Sequence, residues 1–183
     1  MTRAAFLDRD GVINRAFVRG GRPYAPRTVE EFELLPGVTE AVGALRAAGF
    51  LVVVVTNQPD VATGLQRRED VDAMHERIRR EVGVDDIRVC FHVDADACAC
   101  RKPKPGMLLD AAADWGVDLA HSFMIGDRWR DVHAGHAAGC RAIFIDYGYD
   151  ERRPDPPFEL AGTLLEASEL VLYNRQLPPP ARR

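Results

Sequence analysis

The sequence predicts an α/β fold: a doubly wound, Rossmann-like parallel sheet with helices on both faces. Three observations predict it. Short apolar runs alternate with segments of helical spacing from Ala4 to Ile145. One run, Leu51-Val-Val-Val-Val-Thr56, is β-branched from Val52 onward, which suits a central parallel strand buried on both faces. The polar residues able to do chemistry fall just past the predicted strands, where such sheets hold their ligands.

The elements follow in order. Ala4–Leu7 is an apolar run ending at Asp8 and predicts a strand. Residues 37–48 have helical spacing, with Pro36 just ahead and Gly49 as the stop. The strand at 51–56 precedes a helix over 68–82, periodic at Val71, Met74, His75 and Ile78. A strand at 87–91, a helix at 106–115, a strand at 123–125, a helix at 131–138 closed by Gly139, and a strand at 141–145 complete the alternation. Residues 1–150 are thus expected to form the core, with 90–100 as a zinc-binding loop insert. Residues 151–176 are read as a Pro-rich linker (151–157) with a closing helix (158–172), and 177–183 (LPPPARR) as a disordered tail. The spans between Asp10 and Thr56 and between Asn57 and Cys90 are too short for a separate cap domain, so small loops should shape an open crevice.

Composition excludes several classes. The chain has 183 residues, 46% hydrophobic and 28% charged, as an ordinary globular domain has. No apolar run reaches membrane-spanning length, and MTRAAFLDRDG turns acidic before a signal-peptide core could form, so a cytoplasmic protein is expected. A net charge of −4 argues against nucleic acid as a partner. A small phosphorylated metabolite and a monomeric state are the expectations that remain.

Four strand ends carry the candidate chemistry: Asp8 and Asp10 after the first strand, Thr56 and Asn57 after the second, Lys102 beyond the third, Asp127 and Asp131 after the fourth. Carboxylates converging in one crevice call for a cation, and oxygen-only ligands at a phosphate site favour Mg²⁺. Cys90 and His92 share a strand face, and Cys98 and Cys100 do likewise across a tight loop. Such a closed N/S set suits structural Zn²⁺, which would clamp the loop that carries Lys102. Lys102 and Lys104 are the only lysines, and Lys104 is expected to face solvent. Cys140 is read as a small buried hydrophobe.

The combination FLDRDGVIN, VVVVTNQ, RKPKPG and GDRWRD resembles the haloacid dehalogenase superfamily of phosphotransferases, over roughly Ala4 to Tyr147. The Cys-x-His and Cys-x-Cys pairs ahead of Arg101-Lys-Pro resemble its branch of histidinol-phosphate and heptose-1,7-bisphosphate phosphatases, with the heptose side favoured. The resemblance implies that Asp8 attacks phosphorus and that Asp10 serves as acid and then base. It implies Mg²⁺ on Asp8, Asp127 and the Asp10 carbonyl, and phosphate oxygens held by Thr56 and Lys102. Asp131 would orient Lys102 or a metal-bound water, while Asn57, Gln58, Arg101 and Arg128 would meet substrate. One departure stands out: Pro59-Asp-Val-Ala-Thr-Gly64 puts Thr63 where the heptose pattern resembles SGIARG, removing a guanidinium suited to a second phosphate. Two other classes fit part of the pattern, a phosphoacceptor receiver module and a zinc-ribbon binding module. Asp10 argues against the first, because an acid beside the acyl phosphate hastens its loss.

Overall fold

The computed structural model describes residues 2–174. Six parallel strands form one sheet: β1 (Arg3–Leu7), β4 (Phe50–Asn57), β5 (Asp86–Cys90), β6 (Phe123–Gly126), β7 (Arg141–Ile145) and β8 (Glu159–Ala161), in the order β5-β4-β1-β6-β7-β8. A separate antiparallel hairpin pairs β2 (Phe17–Arg19) with β3 (Arg22–Tyr24). The helices are α1 (Val38–Ala47), α2 (Arg68–Glu81), α3 (Gly106–Trp115), α4 (Trp129–Ala138) and α5 (Leu164–Asn174).

The period of two along the central strands sorts side chains onto two faces. Ala5, Leu7, Val52 and Val54 join the core packed by α1, α2 and α5. Ala4, Phe6, Val53 and Val55 join the second core, packed by α3 and α4. The near-continuous apolar strands therefore follow from burial on both sides. From β1 the chain crosses to β4 on one side, and β6 returns to pair on the other. That reversal opens a crevice at the carboxyl end of β1.

Two segments differ from the sequence expectation. The span expected as one helix over 158–172 is β8 followed by α5, with Gly162 and Thr163 between them. The Thr163 hydroxyl accepts the Glu166 N–H at 3.2 Å, and the Glu166 carboxylate accepts the Gly162 N–H at 2.7 Å. This is a variant capping box, and Thr163-Leu-Leu-Glu166 spells it in sequence. The pairing of β8 with β7 then overrides helical spacing in Glu159–Ala161. The second difference is the hairpin, which stands where a plain loop was expected; its turn, Gly20-Gly21, has both φ positive. Residues 151–157, read as a linker, are tied to the core: Glu151 forks onto Arg128, and His133 and His136 bond Asp155 and Pro157. The expected tail at 177–183 lies outside the described residues. No helix among the described residues is long and apolar enough to cross a membrane.

Candidate active site

β1 ends at Leu7, and Asp8 still donates its N–H to Ile125 O, so its side chain sits at the strand's carboxyl end. The chain then turns sharply, with three successive N–H groups from Val12 to Asn14 directed at Arg9 O. Gly11 makes the turn possible: its φ is +84°, and a Cβ there would lie 2.0 Å from an Asp127 oxygen. A Cβ on Gly126 would likewise lie 2.2 Å from Cβ of Asp131. These two glycines let the β1 and β6 ends pack carboxylates against backbone.

One oxygen from each of Asp8, Asp127 and Asp131 lies within 4.8 Å of the others. Lys102, 1% exposed, sits among them. Its ammonium donates to Asp8 Oδ1 at 2.8 Å, Asp131 Oδ1 at 2.6 Å and Val55 O at 2.7 Å, which commits all three hydrogens. Desolvation pulls the Lys102 pKa down, but Asp131 and Asp8 outweigh it and the net direction is up. Desolvation, then Asp131, push the Asp8 carboxyl up to about 6 against the pull of Lys102. Asp127 is raised well above the carboxylate range by desolvation and by Asp8 and Asp131. Both Asp127 oxygens are buried and accept no hydrogen bond of normal geometry, and the pull of the Tyr149 phenol does not offset the upward shift. A buried, orphaned carboxylate beside two others is the arrangement a hard cation stabilises, so this donor set fits one.

Asp10 is held differently. Its Oδ1 accepts from Arg9 Nε at 3.1 Å, Arg9 Nη2 at 2.9 Å and Asn14 Nδ2 at 3.0 Å, and its Oδ2 from Gln58 Nε2 at 2.8 Å. Desolvation raises its pKa, but Arg9 and these donors outweigh it, so Asp10 lies below the usual range. Gln58 also donates to the Thr56 hydroxyl at 2.8 Å.

The four sulfur and imidazole groups come together as the spacing predicts. Cys90, Cys98 and Cys100 have Sγ separations of 3.2, 3.4 and 3.7 Å, and His92 Nδ1 is 3.3 Å from Cys100 Sγ. Zn–S bonds of about 2.3 Å at tetrahedral angles place sulfurs about 3.8 Å apart, so the cluster has the size of such a site. Burial pushes the Cys90 thiol up to about 12.

Other expected contacts are placed elsewhere. A cleft of about 320 Å³ is lined by Asp8, Asp10, Asn57, Gln58, Lys102, Asp127, Arg128 and Asp131, joined by Arg22, Tyr24 and Arg130. Thr56 and Arg101 are not in its lining. Arg101 instead pairs with Asp94 at 2.7 Å and bonds His92 O, within the cysteine loop. Asn57 uses its amide on the Lys102 backbone, donating to O and accepting from N, each at 3.1 Å. Lys104 is exposed, yet its ammonium donates to Ala97 O and Cys98 O, at 2.6 and 2.8 Å, so it ties the loop and does not simply face solvent. Cys140 is buried, as expected. Sequence reasoning missed Arg22, Tyr24 and Arg130. The only signal for the first two was the Gly20-Gly21 turn between Arg19 and Arg22.

The haloacid dehalogenase-like hydrolase family model matches residues 5–139. The chain is 43% identical over 148 residues to a D-glycero-β-D-manno-heptose-1,7-bisphosphate 7-phosphatase of Rhodopseudomonas palustris, covering 74% of this chain and 79% of that one. It is 39% identical to the protein so named in Bordetella bronchiseptica, over 78% and 79% of the two chains. A solved D,D-heptose 1,7-bisphosphate phosphatase of B. bronchiseptica, in complex with magnesium and phosphate, superposes with a TM-score of 0.83 at 32% identity, covering 94% of this chain and 99% of that one. With the matched span taking in Asp8, Lys102, Asp127 and Asp131, this chain belongs to the haloacid dehalogenase-like hydrolase family.

Proposed function

We propose that this protein is a phosphomonoesterase that works through an aspartyl-phosphate on Asp8, with heptose 1,7-bisphosphate cleaved at its 7-phosphate as substrate. The observation that carries it is the buried Asp8–Lys102–Asp131 chain, with Asp127 beside it and Asp10 two residues on. The names of the relatives support the substrate. Asp8, Asp127 and the carbonyl of Asp10 would hold Mg²⁺, and Cys90, His92, Cys98 and Cys100 would hold Zn²⁺. Bound at the carboxylates, Mg²⁺ supplies charge to offset that of the phosphate.

In the first step an Asp8 oxygen forms a bond to phosphorus as the bond to the sugar oxygen breaks. The hydrogen that Asp8 accepted from Lys102 is then free to bond an oxygen of the transferring group. Asp10, ionised at rest, takes the proton that a monoester carries near its second pKa of about 6 and passes it to the departing oxygen. In the second step the Asp10 carboxylate takes a proton from water, whose oxygen attacks phosphorus and releases Asp8 and inorganic phosphate. Thr56, buried behind Gln58, fixes that amide toward Asp10.

Arg22 supports the bisphosphate reading. It stands in the cleft wall with no ion pair among the described residues, whereas Arg128 and Arg130 are neutralised by Glu151 and Asp94. It offers the guanidinium that Thr63 lacks. A phosphate-release panel of both anomers of heptose 1,7-bisphosphate, the 7-monophosphate, histidinol phosphate and common sugar phosphates tests the reading. The bisphosphate is expected to have the highest kcat/KM, and Arg22→Ala to raise its KM about tenfold while changing the monophosphate little. A panel led by histidinol phosphate would overturn the substrate.

Both metal sites have a stability readout. Mg²⁺ is expected to raise the thermal midpoint more at pH 8 than at pH 5, since the raised carboxyls of Asp8 and Asp127 keep protons that the cation must displace. An equal shift at both pH values would show that these groups do not bind it. Elemental analysis of the parent protein is expected to show zinc, and Cys98→Ser is expected to lose it and to melt several degrees lower.

A further inference from the structure

Arg9 lies between two carboxylates of the site but does not enter the cleft. Among the described residues it is the largest fully buried side chain, at 0% exposure. Burying a guanidinium is costly unless every donor is engaged. Its Nε and Nη2 converge on Asp10 Oδ1, and its Nη1 meets Nε2 of His75 at 3.3 Å. A guanidinium only donates, so His75 must accept through Nε2 and be neutral. His75 projects from α2, is 3% exposed, and follows Met74 on the buried stripe of that helix. With Asn14 added, Asp10 Oδ1 receives three donors, while Oδ2 receives Gln58 alone. Only Oδ2 has capacity left for a proton in transit.

We propose that Arg9 and His75 are positioning residues for Asp10: the imidazole pins the guanidinium, and the guanidinium locks the carboxylate so that Oδ2 alone serves the reaction. α2, packed on the same face of the sheet as α1 and α5, thereby positions Asp10 without reaching the cleft. A guanidinium suits this role because two of its N–H groups, on Nε and Nη2, reach Oδ1 together from one rigid plane while Nη1 reaches His75, a spread that a compact ammonium does not offer. This rests on the phosphomonoesterase reading above, in which Asp10 protonates the leaving oxygen.

The test uses that dependence on the leaving group. An alkoxide needs a proton as it departs, whereas p-nitrophenolate leaves without one, and kcat/KM reports this first step. His75→Leu and Arg9→Met are each expected to lower kcat/KM for β-glycerophosphate at least about tenfold more than for p-nitrophenyl phosphate, a part of what a general acid contributes. His75→Gln, which keeps an acceptor for Nη1, is expected to restore the ratio to within about threefold of the parent protein. A loss of equal size on both substrates would overturn the proposal and leave Arg9 a structural ion pair. If Arg9→Met does not fold, the Leu and Gln variants of His75 decide the matter alone. Failure of the underlying reading shows differently: Asp8→Asn would then retain turnover of p-nitrophenyl phosphate.

Discussion

Replacing Asp8 by Asn is expected to lower kcat by at least about three orders of magnitude, as loss of a nucleophile does elsewhere, while raising the melting temperature of the metal-free protein above pH 6. The two effects share one cause. Asp8 is removed from water and crowded by Asp131, and its carboxyl is pushed up to about 6 from 3.8. Between those values the folded state binds more protons than the unfolded state, so stability falls as pH rises. Above the folded value the charge opposes folding in full, and Asn carries none of it. The gain should therefore be present at pH 7–8 and vanish toward pH 4. The carboxamide has nearly the same shape but no anionic oxygen to attack phosphorus. A variant that lost activity and stability together would point to collapse of the site and not to loss of the nucleophile.

Lys102→Ala is expected to cost more of the fold than any other single change in the site. It removes a cation bonded to Asp8, Asp131 and Val55 O at 2.6–2.8 Å, and leaves two buried carboxylates without a counter-charge. Breaking a buried pair in this way costs about 3–5 kcal/mol. The loss should be smaller at pH 5 than at pH 8, because Asp8 can then take up a proton in place of the missing ammonium. Turnover should fall by about 10²–10³, the range for one electrostatic contact to the transferring group. Lys102→Arg is expected to restore little of either, since a planar fork cannot direct three donors at oxygens lying around one nitrogen. Urea denaturation at the two pH values and p-nitrophenyl phosphate turnover measure both effects. Recovery by Arg would show that charge alone, and not ammonium geometry, is what the site needs.

The placement of Lys102 shows how sequence and tertiary structure divide the work. Cys98-x-Cys100 two residues ahead announced a clamp, and the four ligand groups do converge. Yet other contacts that hold this loop were not legible. Asn57, read as a substrate contact, uses its amide on the Lys102 backbone, and Arg130 of α4 grips Asp94 of the same loop. Nothing in sequence says which of several amide or guanidinium groups near a strand end will turn toward a neighbouring loop. That is decided by strand order, since β4 lies between β1 and β5. The hairpin was missed for a related reason: Gly21 O accepts Asp150 N–H at 2.8 Å, a contact between segments that lack any shared periodicity.

What the sequence determined by itself was whatever repeats at short range: the alternation that makes strands, the spacing that makes α1 to α4, the ligand pairs two apart, and the carboxylates placed at strand ends. What only the tertiary structure decided was partnership across long separations. Arg9 meeting His75 66 positions away is one case, and β8 pairing with β7 in place of extending α5 is another. Local backbone geometry fixes the direction of a side chain within a few residues. Which opposite charge or acceptor waits there depends on how the whole sheet is wound, because burial makes an unpaired group too costly to leave alone.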